Sequence, residues 1–182
     1  MCGIASLCRD AGVPWSGYIS TSFGCPYEGE VDAESVLRIA REYREAGAYA
    51  VALGDTIGVA NPVQVFDIVS RLAAEVPGPQ VRLHFHDTYG RALANTVAAM
   101  QAGATQFDGS VGGLGGCPYA PGASGNVATE DMIAMLDGMG IATGVDLAAL
   151  LNVADFVEHV VGRRLDGKVK RAAAASRERG GP

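Results

Sequence analysis

The sequence contains little cysteine and no long apolar run. Its four cysteines form no C-x-x-C pair and are too few for a disulfide framework in a chain of 182 residues. We therefore expect free thiols in a reducing compartment. No apolar stretch reaches the ~18 residues that a membrane-spanning helix needs, and the start MCGIASLCRDAG has no basic region before an apolar stretch. These absences predict a cytoplasmic protein without a targeting or membrane-spanning segment.

Positive charge is also scarce. The 14 Lys and Arg residues stand against 20 Asp and Glu, which gives a formal net charge of −6. An acidic field attracts neither nucleic acid nor an anionic membrane surface, so we expect neither as a partner. A substrate must therefore be held by local charges. The hydrophobic content of 48% suits one globular domain with a buried core.

Short apolar segments alternate with helical patterns along the chain. We predict strands at 17–23, 48–54, 81–86 and 105–111, and helices at about 33–46, from Pro62 to about Val76, 91–102, 129–138 and 146–161. Strand-then-helix units in succession imply an α/β fold with parallel strands and right-handed crossovers. In such folds the functional residues follow the carboxyl ends of the strands.

Two histidines lie in the third predicted strand, in the run VRLHFHD. Because strand side chains alternate between faces, His84 and His86 project on the same side, about 6 to 7 Å apart, and can converge on one ion. A single histidine on an apolar strand is more often a hydrogen-bonded core residue. The pairing at the end of a strand favours a site for a divalent metal. The residue types alone do not decide whether that metal is magnesium, manganese, zinc or iron.

The glycine-rich loop GGLGGCPYAPGASGN follows the fourth predicted strand. Its glycines allow tight turns, so that Cys117 and Asn126 can be brought back over the histidines. A cysteine alone is more often a buried small hydrophobe, but this loop is hard to bury, which favours a functional thiol. Asp55 stands at the carboxyl end of the second predicted strand. We expect Asp87 to point away from His86 and to act as a supporting partner.

At these residues the sequence resembles a known enzyme family. The segments HFHDTYGRALANT and GGLGGCPYAPGASGNVATED resemble hydroxymethylglutaryl-CoA lyases, and GCPYEGEV and LGDTIG resemble other signatures of that family. The resemblance implies a partial TIM (β/α) barrel of about four β/α units plus C-terminal helices, at residues 1–165, corresponding to the carboxyl-terminal half of the family's barrel. We expect residues 166–182 to be a tail, frayed or disordered.

The resemblance also implies a metal and a reaction. Magnesium or manganese would be held by His84, His86 and Asn126, and the acyl-CoA thioester 3-hydroxy-3-methylglutaryl-CoA would be cleaved to acetyl-CoA and acetoacetate. The family takes a further aspartate ligand and a neighbouring arginine from its first strand, which have no counterpart here. We expect His84 to share in proton transfer and Cys117 to protonate the departing enolate. Asp55 either orients the substrate or is a loop acid with a cap-like role.

Other readings of the same residues remain open. The chain is alternatively another metal-dependent aldolase or synthase of the same barrel group, acting on a 2-oxo acid, or a non-catalytic half-barrel fragment. An isolated sheet of this kind would have open edges at 17–23 and 105–111. We therefore expect the chain to self-associate into a homo-oligomer.

Overall fold

Four parallel strands form one sheet in the order of the chain. The computed structural model describes residues 2–78, 80–116 and 125–178. Its elements are α1 (Cys2–Asp10), β1 (Ser16–Ile19), α2 (Ala33–Glu45), β2 (Ala50–Asp55), α3 (Pro62–Glu75), β3 (Gln80–Phe85), α4 (Ala92–Gln101), β4 (Gln106–Asp108), a 3-10 turn at Val111–Gly113, α5 (Thr129–Gly138), α6 (Leu147–Val161) and α7 (Lys168–Glu178). The strand order β1-β2-β3-β4 confirms the predicted α/β fold with successive β/α units.

Side-chain caps set the starts of three helices. The carboxylate of Asp32 accepts a hydrogen bond from Glu34 N at the start of α2, and Asn61 caps α3, which has Pro62 in its first turn. Asp146 caps α6 by accepting from Ala148 N and Ala149 N. These helix starts agree with the predicted ones because capping is decided by neighbouring residues.

Two strands are shorter than predicted. The first was expected at 17–23 but ends at Ile19, because Thr21 takes a left-handed φ of 54° and donates its backbone N–H to Thr56 Oγ1. The fourth was expected at 105–111 but ends at Asp108. Beyond it, Ser110 N donates to Val127 O, so the backbone pairs with residues 127–129 instead of extending the sheet.

The two faces of the sheet differ in polarity. One face, with Val51, Leu53, Leu83 and Phe85, packs against α2, α3 and α4 and forms the core. The other face carries polar side chains at its centre. There Arg82 donates to Gln106 at 2.7 Å and to the hydroxyl of Tyr49 at 2.9 Å. Alternation therefore puts His84, two residues after Arg82, on this second face.

The described part of the C-terminal segment is a helix that packs on the rest of the fold. Residues 166–182 were predicted as a frayed or disordered tail, but α7 occupies Lys168–Glu178, and 179–182 lie outside the described residues. The buried carboxylate of Asp131 accepts from the backbone N–H groups of Lys168 and Val169 at 2.9 and 2.7 Å. These bonds cap the amino-terminal end of α7 and hold it against α5. Across the described ranges, no helix combines the length and apolar character that crossing a bilayer requires.

Candidate active site

The two histidines lie together at the carboxyl end of β3. His84 is the fifth residue of β3 and His86 follows its last residue, and their ring centroids are 5.4 Å apart. The segment that carries Asn126 runs antiparallel beside His86. It is held by backbone hydrogen bonds from Asp87 N to Gly125 O and from Val127 N to Phe85 O, at 2.9 and 3.0 Å. The structure thus brings together all three predicted metal ligands.

Two buried polar atoms in this group make no hydrogen bond of good geometry within the described residues, although the Asn126 side chain lies close enough to His86 to raise its pKa. They are His86 Nδ1 and Asn126 Oδ1. The other end of the Asn126 amide is satisfied, since Nδ2 donates to Leu114 O at 2.7 Å. An unpaired buried acceptor is costly unless something binds it. Imidazole nitrogen and amide oxygen are both ligands that divalent ions accept, so these residues fit a divalent metal ion.

The ligand set is incomplete in the part of the chain that the structure describes. No group of three or more His, Cys, Asp or Glu side chains in this part is placed to hold a metal. The described donors are two imidazoles and one amide oxygen. Octahedral magnesium usually keeps several waters and substrate oxygens among its ligands. This donor set therefore resembles one side of a metal site.

Burial and charge keep His86 neutral. His86 is 7% exposed. Burial, followed by the charge of His84, lowers the pKa of its imidazole below the usual value of 6.5, against the opposing effect of the neighbouring Asn126 side chain. Neutral imidazole is the form that binds metals. His86 is therefore prepared as a ligand near neutral pH.

Two side chains beside His84 were not identified from the sequence. The ring of Tyr18 meets His84 edge to face at 6.1 Å, and Asp108 Oδ2 lies 3.9 Å from His84 Nδ1. Burial, and then the charges of Asp108 and Asp55, raise the pKa of Tyr18 to about 12. The parallel register pairs Asp108 with His84, so a correct strand alignment would have identified it. Identifying Tyr18 in the same way would also need the register between β1 and β2.

Asp55 is fully buried at the end of β2. Its Oδ1 accepts from Ala60 N at 3.2 Å, while Oδ2 has no partner among the described residues. Burial raises the pKa of this carboxyl from 3.8 to about 6. By alternation Asp55 falls on the face of Leu53, opposite to that of His84. Its contacts are those of a loop-capping acid, and its role toward the substrate stays a prediction.

Asp87 and Cys117, which the sequence singled out, and the further residues Cys25 and His159 take different places. Asp87 accepts from Ala92 N at 3.0 Å and pairs with Lys168 Nζ at 2.8 Å, so it links α4 to α7. Cys25 is a free, partly buried thiol in the turn after β1, and its backbone pairs with Gly29. His159 lies in the last turn of α6 and is exposed. Cys117, the predicted acid, lies outside the described residues.

Comparisons with known proteins give one consistent family. A family model described as HMGL-like matches residues 6–157. The mitochondrial hydroxymethylglutaryl-CoA lyase of Rattus norvegicus is 47% identical over 170 residues, which cover 93% of this chain and 52% of the rat protein. The chain therefore spans about half the length of the curated relatives it matches.

Solved structures of hydroxymethylglutaryl-CoA lyases also match this chain. The HMG-CoA lyase of Bacillus subtilis matches with a TM-score of 0.90 at 47% identity, over 95% of this chain and 58% of that one. An HMG-CoA lyase from Acinetobacter baumannii, in complex with coenzyme A and 3-methylmalate, matches with a TM-score of 0.89 at 39% identity, over 94% and 56%. These matches confirm the resemblance to the family and the predicted partial TIM barrel, whereas the assignment to the carboxyl-terminal half of that barrel stays a prediction.

Proposed function

The chain belongs to the HMGL-like family, and from this we propose that it carries the metal-binding part of a lyase site for 3-hydroxy-3-methylglutaryl-CoA. The products would be acetyl-CoA and acetoacetate. One observation carries the proposal: the rings of His84 and His86 lie 5.4 Å apart beside the unpartnered oxygen of Asn126, at the carboxyl end of a barrel strand. Active sites of β/α barrels form at this end.

Magnesium or manganese would be held by His84, His86 and Asn126. The donor atoms support this proposal because two of them, His86 Nδ1 and Asn126 Oδ1, are buried without a partner among the described residues. When bound, such an ion would polarise the tertiary hydroxyl and the neighbouring carboxylate of the substrate and make the hydroxyl more acidic. A modest base then suffices to take its proton.

His84 is the residue best placed to hold that proton. Its side chain is 24% exposed, whereas His86 is buried. The carboxylate of Asp108 lies 3.9 Å from Nδ1, and a small approach would let it accept a proton from Nδ1 and fix that tautomer. Nε2 is then the one nitrogen with a free lone pair, and it can either bind the ion or take the proton, but not both at once. We keep Cys117 as the acid that protonates the enolate, because a thiol pKa of about 8.5 lies near working pH. For Asp55 both expected roles stay open, orienting the substrate or capping the loop that follows β2.

The direct test is turnover of the CoA thioester with manganese. We expect acetoacetate release by the unmutated chain, loss of release in His84→Ala, and retention in His159→Ala, which removes an exposed histidine of α6. The competing function, an aldolase or synthase for a 2-oxo acid, is assayed in parallel. Turnover of a 2-oxo acid adduct with none of the CoA thioester would contradict the lyase proposal.

β1 and β4 are the outer strands of the described sheet, and this supports a proposal of self-association. Unpaired strand edges offer backbone groups to another chain. We expect light scattering to give a mass of more than one chain, and a stable monomer would contradict this. Cytoplasmic localisation remains our proposal, to be tested by fractionation of cells that express the chain.

A further inference from the structure

Glu130 is a buried carboxylate that the proposed reaction does not use. It lies in the first turn of α5 and is 0% exposed. Oε2 accepts a hydrogen bond from Gly112 N at 3.0 Å, and Oε1 has no partner among the described residues. A carboxylate removed from water with one hydrogen bond is unfavourable for stability. The reason for burying Glu130 must therefore lie in the group that it binds, the backbone N–H of Gly112.

That group belongs to the segment that orients Asn126. Both backbone polar groups of Gly112 are bonded, because Asp166 N donates to Gly112 O at 3.2 Å while Glu130 accepts from Gly112 N. Two residues further on, Leu114 O accepts from Asn126 Nδ2 at 2.7 Å. The amide of Asn126 has two different ends, and satisfying Nδ2 leaves Oδ1 as the free end.

The packing leaves little freedom in this segment. A Cβ at Gly115 would lie 2.5 Å from Asn126 Nδ2, and one at Gly125 would lie 2.5 Å from Gly115 O. Gly112 also lies directly against Leu165, where a methyl group would overlap it. Gly112 and Leu114 thus lie in one tightly packed segment, in which Leu114 O holds the amide of Asn126.

We propose that Glu130 is a positioning residue which, through Gly112 and Leu114 O, holds the Asn126 oxygen in the orientation that binds a divalent cation. The part that concerns the cation rests on the proposed function, whereas the part that concerns the amide does not. Removing the Glu130 acceptor frees Gly112 N and loosens Leu114 O. The Asn126 amide then exchanges with solvent and presents either end to the site.

The test reads the Asn126 side-chain amide by NMR in the full chain without metal. The signal is assigned by its loss in Asn126→Ala. We expect Glu130→Leu to speed solvent exchange of this amide by about 10-fold or more, since local hydrogen bonds report local opening. Glu130→Gln keeps a carbonyl acceptor and should keep slow exchange. Asp137→Asn, an exposed acid of the same helix, is the matched control for lost charge. Unchanged exchange in a folded Glu130→Leu chain would overturn the proposal.

A second variant and a second readout keep the test decisive. Should Glu130→Leu fail to fold, Glu130→Asp shortens the side chain by one methylene, so that its carboxylate no longer reaches Gly112 N, and it should also speed exchange. Manganese affinity should fall by roughly 10-fold, the size expected for loss of a ligand-orienting contact. Faster exchange in a chain that binds no manganese would leave the positioning role standing and refute the proposed metal site. Lower thermal stability with slow exchange would assign Glu130 to packing alone.

Discussion

Replacing Asp55 by asparagine should change how stability depends on pH. The carboxyl of Asp55 is fully buried, one oxygen accepts from Ala60 N, and the other has no partner among the described residues. Burial raises its pKa from 3.8 to about 6, against the lowering effect of the backbone N–H groups of the 58–60 turn. An asparagine keeps one acceptor oxygen for the turn and removes the buried charge.

The direction in which the free energy of unfolding changes with pH follows from proton binding at Asp55. Between pH 3.8 and about 6 the native state binds more protons at Asp55 than the unfolded state does. The free energy of unfolding therefore falls as the pH rises through this window. Full ionisation at a pKa raised by about 2 units costs about 3 kcal/mol, an order-of-magnitude figure. Below pH 3.8 the carboxyl is protonated in both states and this cost is absent.

Urea unfolding of both chains at half-unit pH steps measures the effect. The stability of Asp55→Asn relative to the unmutated chain should rise by up to about 3 kcal/mol between pH 4 and pH 7. Subtracting the two curves removes the other titrating groups, which both chains share. A difference that stays constant over this range would show that Asp55 is not the buried acid described here, and the reasoning would fail.

Three further outcomes follow from the same structure. Gly115→Ala should lower manganese affinity by roughly 10-fold, because the new Cβ would lie 2.5 Å from Asn126 Nδ2. Gly116→Ala is the control and should leave the affinity unchanged, because no atom lies within 4 Å of a Cβ at that position. Calorimetric titration measures both affinities. Lys170→Met should lower the free energy of unfolding by roughly 2 kcal/mol, since this buried ammonium pairs with two acids of α6; unchanged chemical denaturation would contradict this. In an NMR titration without metal, His86 should ionise below the usual histidine range because of its burial, and ionisation at or above that range would refute this.

Local signals in the sequence were enough for most of the architecture. The starts of α2, α3 and α6 follow from capping residues next to them in the chain. The alternation of strands and helices gave the parallel sheet, and the period of two in β3 put His84 and His86 on one side. The glycines of the loop correctly predicted that Asn126 returns to the histidines. Each of these features depends on residues close in sequence or on flexible backbone.

The features that were missed depend on distant partners. β4 ends early because Ser110 bonds to Val127, a pairing that strand propensity does not encode. The C-terminal helix forms against the carboxylate of Asp131, some 37 residues away in the chain, whereas its Ala- and Arg-rich composition suggested a frayed tail. Asp108 joins His84 only through the register of β3 and β4. Tertiary contacts decided all three.

The central claim is that His84, His86 and Asn126 form a preformed half of a metal site. Calorimetric titration of manganese into the full chain tests it most directly, repeated with His84→Ala, Asn126→Ala and Cys117→Ala. The account predicts binding of a single ion, lost in the first two variants and kept in Cys117→Ala, because the thiol is not among the predicted ligands. Absence of binding by the unmutated chain, or binding that survives in His84→Ala, would contradict it.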